Sequence, residues 1–196
     1  MGESHTMPHN LPVVPLAPSD QRAPTPALIT RWLDPKTAWQ PVPGAPAHPP
    51  HFIVEHTSHP ADLQVTIFNY GERQPGAEDV LVQLSRPVAG QQLFTTTNGD
   101  ASFSDNGAYL LLTMPFLLIA IDAHTMQSWH YALPDRTMLL NAGWAGTQVV
   151  GKLLAYSQPT AAATPIGPYP WDAITTQWQP GLGTAARPST PQEQRR

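Results

Sequence analysis

Cysteine is absent from the 196-residue chain. That excludes disulfides, thiolate catalysis and cysteine-ligated zinc or iron–sulfur centres, and it fits a cytoplasmic protein. Charge is also sparse: Asp, Glu, Lys and Arg make up 12% of the residues, and only two of the ten basic ones are lysine. The net charge of −4 offers no global attraction for nucleic acid or anionic lipid, so such binding would need a local basic patch. Long apolar runs are missing too. The most apolar stretch, "YLLLTMPFLLIAID" from Tyr109 to Asp122, has about thirteen mostly apolar residues before its aspartate, and a membrane-spanning helix needs roughly 20. Pro115 at its centre would cost a helix about 3 kcal/mol. Two strands, 108–113 and 116–121, joined by a tight turn are the better reading, and no membrane partner is expected.

Proline is abundant instead, with half of the 24 prolines in the first fifty positions. The N-terminal residues lack a basic start and a signal-like apolar run, so no secretory leader is expected. Residues 1–27 and 182–196 show no apolar periodicity and are expected to be disordered arms around a single all-β domain at 28–181. Within it the runs are of strand type: 51–55, 63–69, 79–84, 91–96, 101–104, the hairpin, 126–131, 137–144 and 147–157. No stretch of helical length carries i, i+3, i+4 apolar spacing without an interrupting Gly or Pro.

Asn69-Tyr70-Gly71, Asn98-Gly99 and Asn106-Gly107 are turn signals, because Gly and Asn accept positive φ. Connections this short predict an antiparallel meander. A weak repeat runs through "LDPKTAWQP" (33–41), "IDAHTMQSW" (121–129) and "WDAITTQWQP" (171–180). Asp34, Asp122 and Asp172 are expected to end strands and cap turns, assisted by Thr37, Thr125 and Thr175. Trp39, Trp129 and Trp178 would then begin the next strand and fill the gap to a neighbouring sheet.

"LDPKTAWQPVP" resembles the strand-turn-strand end of a kelch blade. "ASFSDNGAYLLLT…LIAIDAHTMQSW" is similar to blades of WD-repeat, TolB-like and quinoprotein propellers. The resemblance covers residues 28–44 and 100–180. It lacks the Gly-Gly pair of kelch blades and the Trp-Asp pair that ends a WD-repeat strand. It implies small sheets stacked as blades, with room for three blades plus the hairpin at 28–44. The fold class is therefore all-β, either a propeller-like stack or a β-sandwich. The expected core is Phe52, Val54, Val65, Ile67, Val82, Leu84, Phe103, Leu110, Leu112, Leu117, Ile119, Val149 and Leu153.

The candidate sites are few. His48, His51, His56 and His59, with Glu55 and Asp62 nearby, could supply imidazoles to a divalent metal, although Pro49, Pro50 and Pro60 deny them the helix of an HExxH site. Arg31, Trp32, Trp39, Trp129, His130, Tyr131 and Arg136 could stack bases and hold phosphates, or the tryptophans could simply fill gaps between sheets. "TPIGPYP" (164–170) could be an adhesive edge or a rigid cover. Ser102, Ser104, Asp100, Asp105 and His130 read as turn caps and solvated positions, and no catalytic motif is present. The leading expectation is a non-enzymatic module without a cofactor, binding a protein partner or forming a homo-oligomer. The alternatives are a nucleic-acid-binding protein of a bacterial stress or repair response, and a metal-dependent enzyme using the His48–Asp62 region.

Overall fold

The computed structural model describes residues 27–41, 45–74, 77–87, 90–97, 99–155 and 162–183. Within them the chain forms three antiparallel sheets, taken up almost in sequence order. The first contains β1 (Leu28–Leu33), β2 (Phe52–Ser58), β3 (Leu63–Gln74), β4 (Ala77–Arg86) and β5 (Gly90–Thr97) as a meander, with the short helix α1 (Pro35–Ala38) after β1. The second contains β6 (Asp100–Phe103), β7 (Tyr109–Met114), β8 (Leu117–Asp122) and β9 (Ser128–Ala132). The third contains β10 (Thr137–Ala145), β11 (Gln148–Ala155) and β12 (Thr164–Pro170). Helix α2 (Trp171–Gln177) then returns the chain to the second sheet, where β13 (Gln179–Pro180) pairs with β9.

The hairpin of β7 and β8 explains the stacking. Leu110, Leu112, Leu117, Ile119 and Ile121 face the first sheet and pack with Leu63, Val65, Ile67, Val82 and Leu84. Leu111, Leu118 and Ala120, at the alternate positions, face the third sheet and pack with Val149, Leu153, Ile166 and Ile174. Because side chains alternate across a strand, a middle sheet must be apolar at both parities. This hairpin lacks the polar/apolar alternation of a sheet with one wet face, and its strands begin one residue later than expected. Among the described residues no helix is long and apolar enough to cross a membrane.

Polar contacts tie the layers together. The buried Ser58 hydroxyl donates to the Gly107 carbonyl at 2.7 Å, joining the end of β2 to the β6–β7 turn. Arg86 Nη1 donates to the His124 carbonyl at 2.9 Å, between the first and second sheets. Trp144 Nε1 donates to the Ser102 carbonyl at 3.1 Å, between the third and second.

Several expectations are corrected. Residues 28–44 do not form a hairpin: β1 pairs with β2 inside the first sheet and is followed by α1. Asn69-Tyr70-Gly71 does not close a hairpin but lies within β3 at an irregularity in its pairing, where Gly71 has φ 84°. Gly99 stands on the passage from the first sheet to the second, and Asn98 lies outside the described residues. Asn106-Gly107 does sit in the β6–β7 turn, with Gly107 at φ 71°. Of the expected core, Phe52 and Phe103 are only half-buried; the other eleven residues are buried. The arms expected at 1–27 and 182–196 lie almost wholly outside the described residues.

The repeat resolves into two geometries. Asp122 caps a turn, accepting from the backbone N–H groups of His124 and Thr125 at 2.9 Å each. Asp34 instead caps α1 through a 3.0 Å bond from the Lys36 N–H, and Asp172 lies inside α2. At both helices the threonine three places on donates to the aspartate's carbonyl, and the tryptophan closes the helix: the Trp39 N–H bonds Pro35 and the Trp178 N–H bonds Ile174. Of the three tryptophans only Trp129 lies within a strand, and Trp178 directly precedes β13.

Candidate functional site

The sheets cover one another unequally, and the mismatch creates a groove. Cross-strand rows of the first sheet's inner face run Leu84–Val65–His56–Thr30, Val82–Ile67–Val54–Trp32 and Val80–Asn69–Phe52. Their β4 ends are buried against the second sheet at 1–2% exposure, whereas Thr30 and Trp32 on β1 are exposed. Strand β6, the edge of the second sheet, approaches β2 and β3 and is only four residues long. Beyond it the face of β1 and β2 stays open, leaving a groove of ≈ 650 Å³.

The floor of this groove is apolar, formed by Trp32, Phe52, Val54 and Ile67. Trp32 is 71% exposed and lies against Phe52 with ring centroids 5.4 Å apart. The charged side chains lining the groove are Glu72 and Glu78, from facing positions of β3 and β4, and Asp100 at the start of β6. Among the described residues no lysine or arginine lines it. Asn69 Nδ2 donates to Glu78 Oε2 at 2.7 Å, while Asn69 Oδ1 accepts from the Gly71 N–H at 2.8 Å. His56 Nδ1 is 3.0 Å from Thr30 Oγ1. Burial holds the His56 imidazole below its ordinary pKa, and the negative charge of Asp100 works in the opposite direction.

Arg31 and Trp32, neighbours in sequence, point to opposite faces of β1. The Arg31 guanidinium bonds Glu55, which is 5% exposed and also accepts from Gln64 across the adjacent strand. Trp39 packs on the outer face of the first sheet with Ile53, Phe68 and Leu81, and its Nε1 donates to the Tyr70 hydroxyl at 3.3 Å. Trp129 and Tyr131 are half-buried between the second and third sheets, against Trp171 and Trp178 at centroid distances of 5.2 and 5.6 Å. On the other face of β9, His130 Nδ1 meets the Gly181 carbonyl at 3.0 Å. Arg136 is exposed in the turn before β10 at φ 58°. The seven residues grouped by their aromatic and basic character thus do not share one surface, and of the seven only Trp32 enters the groove.

The four histidines have different surroundings. His48 meets the Pro49 carbonyl, His51 lies beside Gly71, His56 lines the groove and His59 occupies the turn after β2. Among the described residues, no three histidine, aspartate or glutamate side chains are grouped as a metal site. Ser104 serves its own turn, its hydroxyl bonding Asn106 Oδ1 at 2.8 Å and accepting from the Tyr109 N–H at 3.0 Å.

Sequence reasoning missed Phe52, Asn69, Glu72, Glu78 and Asp100 as one constellation. They come from four strands and two sheets, and no spacing links them. The available signal was local: Phe52, Val54 and His56 alternate along β2 and must share a face.

No family matches this chain, and neither does any curated protein or solved structure.

Proposed function

We propose that this chain is a non-enzymatic binding module that takes a segment of a partner protein into the groove between β1, β2 and β6. The observation that carries this reading is Trp32, 71% exposed at the open end of an otherwise buried cross-strand row. An isolated exposed apolar residue needs no explanation, but an exposed indole continuous with Phe52, Val54 and Ile67 forms an apolar depression rimmed by polar groups. Covering a large apolar side chain is worth roughly 1.5–3 kcal/mol, and tryptophan is prominent among residues that dominate binding energy. The carboxylates around this surface favour a protein segment over the phosphates of a nucleic acid.

The test is selection of a random peptide library on the intact chain, with every enriched peptide re-measured on Trp32→Ala. The substitution is at an exposed site, so an unchanged circular dichroism spectrum is expected. Peptides that lose at least tenfold in affinity on Trp32→Ala support the groove. Enriched peptides indifferent to the substitution would place the binding surface elsewhere.

A further inference from the structure

We infer that the segment taken by the groove presents an arginine side chain, its guanidinium lying on Trp32 and facing the carboxylates of Glu72, Glu78 and Asp100. The inference rests on the groove being the binding site and adds the chemistry of its occupant. The aromatic floor and the acidic lining belong to one cavity, and among the described residues no lysine or arginine lines it. Its lining therefore complements a cation carried on an apolar stem. Arginine fits that description better than lysine. Its planar guanidinium stacks on an indole face, and its five N–H donors can meet several carboxylates at once, whereas an ammonium is a compact, strongly hydrated point charge.

The dimensions and the edge agree with an extended peptide. A volume of ≈ 650 Å³ falls within the range of ~300–1,000 Å³ common for ligand sites, leaving room for more than one side chain. β1, which carries Thr30 and Trp32, is the edge strand of its sheet. An extended segment beside it can find backbone donors and acceptors as well as the groove. Asn69 has its amide nitrogen and its carbonyl oxygen committed to Glu78 and to the Gly71 N–H, so the Glu78 carboxylate is held before any ligand arrives.

The experiment takes the strongest peptide from the library selection and measures it by calorimetry on the intact chain beside copies in which each arginine is replaced by citrulline or by lysine. Citrulline keeps the shape and removes the charge. The expected result is an arginine in the selected peptide, at least a tenfold loss with citrulline and a smaller loss with lysine. The citrulline penalty should shrink at least threefold on the exposed double variant Glu72→Gln/Asp100→Asn. A Trp32-dependent peptide that lacks arginine, or that binds equally well with citrulline, overturns the arginine inference and leaves the groove standing. Failure to recover any Trp32-dependent peptide overturns both. Dimerisation of the chain that Trp32→Ala abolishes would make a second copy the occupant, and would overturn the inference of a foreign segment.

Discussion

Asn69 and Glu78 stand on adjacent strands with their side chains joined, Nδ2 to Oε2 at 2.7 Å, and Asn69 is 4% exposed. The amide bridges a buried β3 position to the lining of the groove, and its oxygen also satisfies the Gly71 N–H where the pairing of β3 becomes irregular. Replacing it with alanine leaves that N–H and the carboxylate each without this partner. Loss of such a buried bond costs about 1–3 kcal/mol. Asn69→Ala should therefore lower the urea midpoint by a corresponding amount, and Asn69→Asp, which keeps the acceptor but adds a charge beside Glu78, should be no better. An unchanged midpoint for both would show that the irregularity holds itself.

Arg31 and Glu55 give a second, separable case. Glu55 is nearly fully buried, whereas the Arg31 side chain is 60% exposed. Removing the arginine alone strands a buried carboxylate with only the Gln64 amide, whereas removing both charges takes away the desolvation problem itself. Arg31→Leu is expected to destabilise by about 1–3 kcal/mol, and the double variant Arg31→Leu/Glu55→Leu to recover most of that loss. Equal destabilisation by the single and double changes, read from urea unfolding, would contradict this account.

These two relationships show what the sequence could and could not disclose. The aromatic and β-branched run "HFIVE" marked β2, although the strand runs on to Ser58, and the double-sided apolarity of "YLLLTMPFLLIAID" announced a layer covered on both faces, because both follow from residues close in the chain. β12 reads from sequence only as an adhesive edge or a rigid cover and not as part of the meander, because three of its seven residues are proline; it is an edge strand, where missing N–H donors are tolerated. α2 escaped because Asp172, Thr175 and Trp178 fitted the turn repeat, although Trp171, Ile174 and Trp178 are also spaced as on one helical face. The groove was illegible for a different reason. It depends on how far the second sheet slides over the first, and no local pattern encodes that offset.

His56 links the groove to acidity. Burial holds its folded pKa below the ordinary 6.5, with Asp100 as the opposing influence. The unfolded chain therefore binds more protons between the folded value and 6.5. The stability this group contributes is fully present above 6.5 and is lost as the pH falls through the folded value. The urea midpoint should fall on acidification from about pH 7 toward pH 5, and His56→Gln should fall less over the same window. Identical pH profiles for the two proteins would remove His56 from the account.

The layered arrangement makes its own demand on Leu111 and Leu112, neighbours on β7 that are each 0% exposed. Leu112 belongs to the core shared with the first sheet and Leu111 to the core shared with the third. In a two-layer sandwich one of two adjacent strand residues faces solvent, and truncating that one is cheap. Here each of Leu111→Ala and Leu112→Ala should cost about 2–5 kcal/mol, because each leaves a cavity in a packed interior. Their effects should also be nearly additive if the two cores are independent, since the side chains share no packing partners across the sheet. The double variant would then lose about 4–10 kcal/mol, a large share of an ordinary domain's stability, as read by urea unfolding followed in near-ultraviolet circular dichroism. A cheap Leu111→Ala would mean that the third sheet does not cover the second, and the stack would reduce to a sandwich.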